Sequence, residues 1–237
     1  MGNNKRILFC LALCAVLLVT AGAQAQTRSK WAHAYRYGDR TEARVAITVD
    51  DWYEPNVWLP QFMAVAEEYG VKLTLYPSGF NLKVEDREYW QAALDAGHVI
   101  GCHFFQHKRL TERSFEQVLK DLEKYENTLD EVLGYHYEFY TVRPPFGAGL
   151  GQGGSSPVGR WIHSAGFDHI VLWDMDNTSN LKYALSHIKN GSIILLHANG
   201  PDLKFFRSLM EGLKDRNYEY VTVHDLLHIN SRYYYVD

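Results

Sequence analysis

Short apolar runs rich in Val, Ile and Leu alternate along this chain with longer segments whose apolar residues recur at helical spacing. Strands are expected at Arg44–Val49, Lys72–Tyr76, Val99–Cys102, Phe139–Val142, His169–Trp173, Ser192–Leu196 and Glu219–Val223. Between them the spacing predicts helices over Val57–Tyr69, Asp86–Ala96, Ser114–Leu133, Pro157–Ala165, Tyr183–Lys189 and Asp202–Arg216. A short helix at His224–Ile229 follows the last strand. Gly70, Gly97, Gly134 and Gly166 stand where helices should stop. Ser114 with Gln117 three residues on fits a capping box, and Pro157 suits a first helical turn. The acids and bases of the Ser114 helix, Glu116, Lys120, Asp121, Glu123 and Lys124, read as a solvated face.

Seven strands alternating with helices imply an α/β fold with a parallel sheet and right-handed crossovers, closed or nearly closed into a barrel. No repeat, linker or low-complexity tract divides the chain, so one folded domain is expected over 44–237. Residues 26–43 precede it, and Gln26 to Arg40 read as a polar, turn-rich lead-in. Tyr233-Tyr234-Tyr235 reads as an edge segment or a frayed tail. Gly147–Gly154 lacks the Lys-Ser/Thr ending of a phosphate cradle and reads as a flexible loop beside an active site.

The beginning changes the compartment. Lys5 and Arg6, an apolar stretch from Ile7 to Thr20 and Ala23-Gln24-Ala25 have the three parts of a secretory signal, residues 1–25. The apolar stretch is short for a membrane span, so no stable insertion is expected after cleavage. A secreted or periplasmic product follows. Removing Lys5 and Arg6 leaves 22 basic against 28 acidic side chains, net −6, with no basic block, so a nucleic-acid partner is not expected. Cys10 and Cys14 leave with the signal, and Cys102 remains alone, which excludes an internal disulfide and suggests burial.

Candidate chemistry collects where strands end. Asp50-Asp51, His103 and His107, Arg143, Asp174 and Asp176, and His197 each follow an apolar run. In an alternating strand–helix fold those ends share one face, and so many ionisable groups on one face imply a ligand. His103 and His107, four apart, can converge on one ion, with Asp50 or Asp51 as a third ligand. The other aspartate would then face the reacting water. Arg143, stiffened by Pro144 and Pro145, suits a two-pronged hold on a carboxylate. His197 reads as a general acid oriented by Asp176, or as a satisfied core residue. Trp52 and Tyr53 are the aromatic residues most suited to a sugar platform, although core packing is the commoner fate.

These segments, in this order, resemble the polysaccharide deacetylase family, the NodB-homology carbohydrate esterases of family 4. Thr48-Val49-Asp50-Asp51 resembles the first family motif, T-F-D-D. The stretch Gly97 to His107 resembles the second, G-H-E-I-G-x-H-[ST]-x-x-H, and Arg143-Pro144-Pro145-Phe146-Gly147 the third, R-P-P-Y-G. Trp173 to Asp176 and Leu195-Leu196-His197 resemble the fourth and fifth. The resemblance spans Arg44 to Leu227. It implies a distorted (β/α)7 barrel and a divalent metal, usually Zn2+, with Co2+ or Ni2+ as alternatives. It further implies Asp51, His103 and His107 as metal ligands, Asp50 as general base and His197 as general acid. Arg143 would orient Asp50, and Asp176 would orient His197. The Phe146 backbone N–H would face the oxyanion, with Leu195 and Trp52 as substrate contacts. The reaction would remove an acetyl group from an acetylated polysaccharide, as the N-acetyl of a chitin- or peptidoglycan-type amino sugar. The alternatives are O-acetyl ester hydrolysis on acetylated xylan, or a catalytically silent carbohydrate-binding protein on the same fold. Two departures stand out. Phe104 occupies the Ser/Thr position of the second motif, and Ser179 and Asn180 fall where the fourth continues to Asp-Trp. Loss of the hydroxyl at Phe104 is expected to weaken the loop that carries the metal ligands.

Overall fold

The computed structural model describes residues 27–29, 31–150 and 155–236. The signal-like segment and residues 151–154 of the glycine-rich loop lie outside the described residues. The strands are β1 (Thr27–Arg28), β2 (His33–Tyr35), β3 (Arg44–Asp51), β4 (Leu73–Pro77), β5 (Val99–Ile100), β6 (Thr141–Val142), β7 (His169–Val171), β8 (Ile193–His197), β9 (Glu219–Val221) and β10 (Tyr235–Val236). The helices are α1 (Pro55–Glu68), α2 (Arg87–Asp95), α3 (Phe115–Leu133), α4 (Pro157–Ser164), α5 (Leu181–His187), α6 (Gly200–Leu213) and α7 (Val223–Leu226).

β3 organises the rest. Every position from Val45 to Asp50 is buried, which is why its sequence is a continuous apolar run rather than an alternating one. It lies between β4 and β8, all parallel, with β5 beyond β4 and β9 paired to its first residues. A second parallel sheet has the order β2-β7-β6. Two single parallel bridges, Cys102 with Val142 and Met175 with Ile194, join the edges of the two sheets. The strands therefore run around a closed but irregular ring. Helices pack side by side outside it, α1 on α2 and α6, α2 on α3, α3 on α4 and α5 on α6. A large apolar cluster links them, including Phe62, Trp90, Leu75, Ile100 and Phe206, and a smaller one joins Ala46, Tyr76, Val171 and Ile193. The capping box at Ser114 is formed in both directions, and Gly134 ends α3 in the left-handed region at φ 81°.

The lead-in is more ordered than its composition suggested. His33–Tyr35 pairs in parallel with β7, and the Tyr35 hydroxyl lies 3.2 Å from His169 Nδ1. Without this segment the second edge of β7 would be bare. The tail pairs as well, with β10 antiparallel to β1. Several strands are shorter than the apolar runs that predicted them, β6 and β7 most clearly, because the ring closes there through single bridges.

His98 connects the fold to acid stability. Its Nδ1 accepts the Leu73 N–H at 2.9 Å inside the protein, which requires a neutral ring. Burial, aided by Lys72, lowers its pKa from 6.5 to about 4. The unfolded chain therefore binds this proton before the folded one does. The associated stability is complete above pH 6.5 and is lost as pH falls towards 4. The urea midpoint is expected to fall between pH 7 and pH 4.5. His98→Asn, which keeps an acceptor for Leu73, should flatten that dependence. An unchanged slope in the variant would show that other groups set it.

Candidate metal and hydrolytic site

At the end of β3 the chain turns sharply, with Asp51 at φ 75° and Trp52 at φ 58°. Side chains rarely adopt this conformation, and it costs about 1–3 kcal/mol per residue unless the surroundings impose it. Here the Asp51 carbonyl is pinned by Ser78 N–H at 3.2 Å and by Asn81 Nδ2 at 2.9 Å. The turn leaves both neighbouring carboxylates at one imidazole. Asp50 Oδ2 is 3.8 Å and Asp51 Oδ1 3.6 Å from His103 Nε2. His107 Nε2 is 3.3 Å from Asp51 Oδ1. The ligand atoms of Asp51, His103 and His107 all lie within 4.8 Å of one another, close enough to share one ion.

Two observations show that this donor set fits a metal. Asp51 Oδ1 is buried without a hydrogen-bond partner, a costly state for an acceptor unless a cation completes it. His103 Nδ1 lies 2.7 Å from the Arg143 carbonyl. A carbonyl only accepts, so Nδ1 carries the proton and Nε2 presents its lone pair to Asp51 and His107. Burial further lowers the His103 pKa, which favours that neutral ring.

Asp50 is set apart from the ligands by Arg143. The guanidinium is fully enclosed, and its Nη1 donates to Asp50 Oδ1 and Thr48 Oγ1, both at 2.7 Å. Its remaining donors reach the carbonyls of Val171 and Leu172, and the Tyr76 ring lies 4.3 Å from Cζ. Tyr76 fits there only because Gly101 has no side chain, since a Cβ would stand 2.3 Å from the ring. Asp50 is thus a rigidly held carboxylate. Strand register places His197 beside it, as the residue paired with Asp50 across β3 and β8.

The carboxylate at His197 is not the one expected. Asp202 Oδ2 accepts the His197 backbone N–H at 2.7 Å and lies 3.4 Å from Nδ1. Asp176 instead accepts the Trp173 indole N–H at 2.9 Å. The loop after β7 carries Asp176 to Trp173, while Asn199 caps α6 and brings Asp202 back over the strand end. The hydrogen bond that His197 donates to Asp202, opposed by burial and helped by Asp50 and Asp51, raises the His197 pKa. Asp202→Asn should therefore move the alkaline limb of kcat/KM to lower pH, because the protonated imidazole persists over a narrower range. An alkaline limb that stays in place would remove Asp202 from this role.

Asp121 was expected on a solvated face and is buried. Its Oδ2 accepts the N–H groups of Phe105 at 2.7 Å and Gln106 at 3.1 Å, and Arg113 balances its charge at 2.8 Å. It therefore holds the loop between the two histidines. Phe104 sits fully buried at φ 63°, and the residues after it are held by a carboxylate from α3. Asp121→Asn is expected to weaken metal affinity about 10- to 100-fold, as loss of an outer support typically does, measured by competition with a chelator. Unchanged affinity would make Asp121 a packing residue only. Helical spacing could have revealed it, since Val118, Asp121, Leu122 and Tyr125 lie on one face.

The substrate contacts divide. Trp52 points inward, packs on Phe62 and Trp90 and donates to the Val49 carbonyl, so it is core and not a sugar platform. Tyr53 is exposed and leans on Phe80. Leu195 is buried two residues before His197 on the same face of β8. Phe146 is at φ 63°, half exposed, with its ring 4.5 Å from that of His107 and its N–H without an acceptor among the described residues. Cys102 is buried at a seam of the ring.

A family model described as polysaccharide deacetylase matches residues 37–152, which hold Asp50, Asp51, His103, His107 and Arg143. Over this stretch the chain is similar to the polysaccharide deacetylases. Among the curated relatives, the peptidoglycan-N-acetylmuramic acid deacetylase PdaA of Bacillus subtilis is 27% identical over 218 residues, 87% of this chain and 80% of the relative. The peptidoglycan-N-acetylglucosamine deacetylase PgdA of Listeria monocytogenes is 25% identical over 209 residues, 82% of this chain, and the match spans only 42% of that longer protein. The solved structure of Bacillus subtilis PdaA, a family 4 carbohydrate esterase, superposes with a TM-score of 0.66 at 24% identity, over 82% of this chain and 84% of that one. The family fold, a distorted (β/α)7 barrel, is the ring described above.

Proposed function

We propose that this chain is a secreted or periplasmic metal-dependent deacetylase that hydrolyses the N-acetyl group of an amino-sugar polysaccharide of peptidoglycan or chitin type. The observation that carries the reading is the pairing of a metal-ready triad, with its orphaned Asp51 oxygen, and a separate carboxylate, Asp50, held by a buried arginine. Asp51, His103 and His107 would hold a divalent cation, Zn2+ or one of its neighbours Co2+ and Ni2+, and the ion would supply Lewis acidity towards water and the acetyl carbonyl.

The chain's own groups account for the proton movements. Asp50 takes the proton of the attacking water as its oxygen bonds to the acetyl carbon. Arg143 keeps Asp50 in the acceptor position. The free N–H of Phe146 faces the developing oxyanion. His197, whose protonated form Asp202 favours, gives its proton to the sugar nitrogen as the carbon–nitrogen bond breaks, and acetate and the free amine leave. The segment ending at Ala25 supports export, and the deacetylases named above act on peptidoglycan, which agrees with that location. Among the described residues no helix is long and apolar enough to cross a membrane.

The test is acetate release, at known metal stoichiometry, from peptidoglycan, chitin oligomers and acetylated xylan. Release from an amino-sugar glycan is expected. Release from xylan alone would make the chain an O-acetyl esterase. No release from any of the three with metal bound would favour a silent carbohydrate-binding protein.

A further inference from the structure

A second cavity, of about 430 Å3, lies on the far side of Trp173 and is lined by Arg36, Tyr37, Arg40, Trp173, Tyr183 and Lys189 among others. Its charges are unevenly satisfied. Asp174 pairs with Arg40 at 2.7 Å, and Asp176 accepts the Trp173 indole N–H. His187 stacks on Tyr183 with ring centroids 3.8 Å apart. Both acids of the lining are engaged, whereas the Arg36 and Lys189 side chains have no acceptor among the described residues. Two unpaired cations beside three aromatic rings suit an anionic, ring-shaped ligand. The guanidinium matches a carboxylate in two-pronged geometry, and the Trp173 ring, with the faces of Tyr37 and Tyr183 not covered by Arg40 and His187, suits a pyranose.

The cavity also adjoins the hydrolytic centre. Trp173 is the shared wall, because its ring edge reaches Gly147 of the Arg143-Pro-Pro-Phe-Gly turn and lies 5.7 Å from the Arg143 guanidinium. The same loop runs on to Thr178, whose hydroxyl bonds to Asp202 behind His197. A glycan that follows this loop from His197 at the end of β8 towards Arg40 and Asp174 at its start would bring a more distant sugar to the cavity.

We infer that this cavity binds a carboxylate-bearing sugar of the glycan whose acetyl group is cleaved at Asp50. The inference rests on the deacetylase reading and narrows its substrate class. A muramic acid residue carries such a carboxylate, and a chitin chain carries none. Arg36 and Lys189 are then specificity residues with no part in the proton transfers.

The experiment is a calorimetric titration in the metal-loaded Asp50→Asn protein, where bound glycan is not consumed. The two probes are a peptide-free peptidoglycan oligomer with free muramic carboxylates and the same oligomer with those carboxylates amidated. The free acid is expected to bind about tenfold more tightly, the order of one charge-assisted hydrogen bond. Adding Arg36→Gln and Lys189→Gln together should bring the ratio of the two dissociation constants close to one. A ratio already near one in the parent, or a preference that survives the double substitution, overturns the inference. Acetate release by the unsubstituted protein is scored separately. Release without a carboxylate preference sinks the cavity alone. A preference lost in the double variant, with no release from any glycan, sinks the deacetylase reading and leaves the cavity standing.

Discussion

Asp50→Asn lowers turnover by about 100- to 10,000-fold, the usual contribution of a general base, while metal stoichiometry stays at that of the unsubstituted protein. The amide keeps an oxygen for Arg143 Nη1, now 2.7 Å from Asp50 Oδ1, so the guanidinium is not stranded and the strand end keeps its shape. The ligands Asp51, His103 and His107 are untouched. What disappears is the basic oxygen, Oδ2, on the side facing His103. Steady-state acetate release, metal analysis and a thermal melt on the same preparation make the check. Near-normal turnover would show that another group accepts the proton, and loss of metal would place Asp50 among the ligands.

His103→Ala removes both metal and activity. His103 is buried, its Nδ1–H is fixed on the Arg143 carbonyl, and its Nε2 faces the orphaned Asp51 oxygen. A truncated side chain leaves two donors, too few for a tight catalytic site. Stoichiometry should fall from one ion per chain to none after dialysis. Activity should fall by more than about 1,000-fold, since polarisation by the ion is worth several kcal/mol. Metal retained at full stoichiometry would take His103 out of the ligand set. The contrast between the two variants is the sharper result, because one separates activity from metal content and the other ties them together.

The strand ends were readable because each hydrolytic residue follows an apolar run that has to be a buried parallel strand. Asp50, Asp51, His103, His107, Arg143 and His197 are therefore placed on one face by the pattern alone. Partners supplied from elsewhere were harder to read. Asp202 and Asp176 are both aspartates a few residues past a strand, and only the path of each loop decides which reaches His197. Trp52 sits beside two acids, but its left-handed backbone swings the indole into the core, and nothing in the local pattern encodes that turn. Asp121 was missed for another reason. Its charge points to solvent, although its position between Val118 and Tyr125 marks the buried face. β2 is short and polar, and it is a strand only because β7 offers it an edge.

The seams of the ring have a consequence for inactivation. Asp50 stands on the sheet built around β3, whereas Arg143 follows β6 of the other sheet, and few backbone pairings join the two. The ion pair is thus a rivet across a joint, and the proton acceptor is aligned only while the joint is shut. A lesion remote from the pocket that lets the halves part by an ångström would silence hydrolysis and leave every reacting atom chemically intact. Heat should then extinguish activity before it melts the helices.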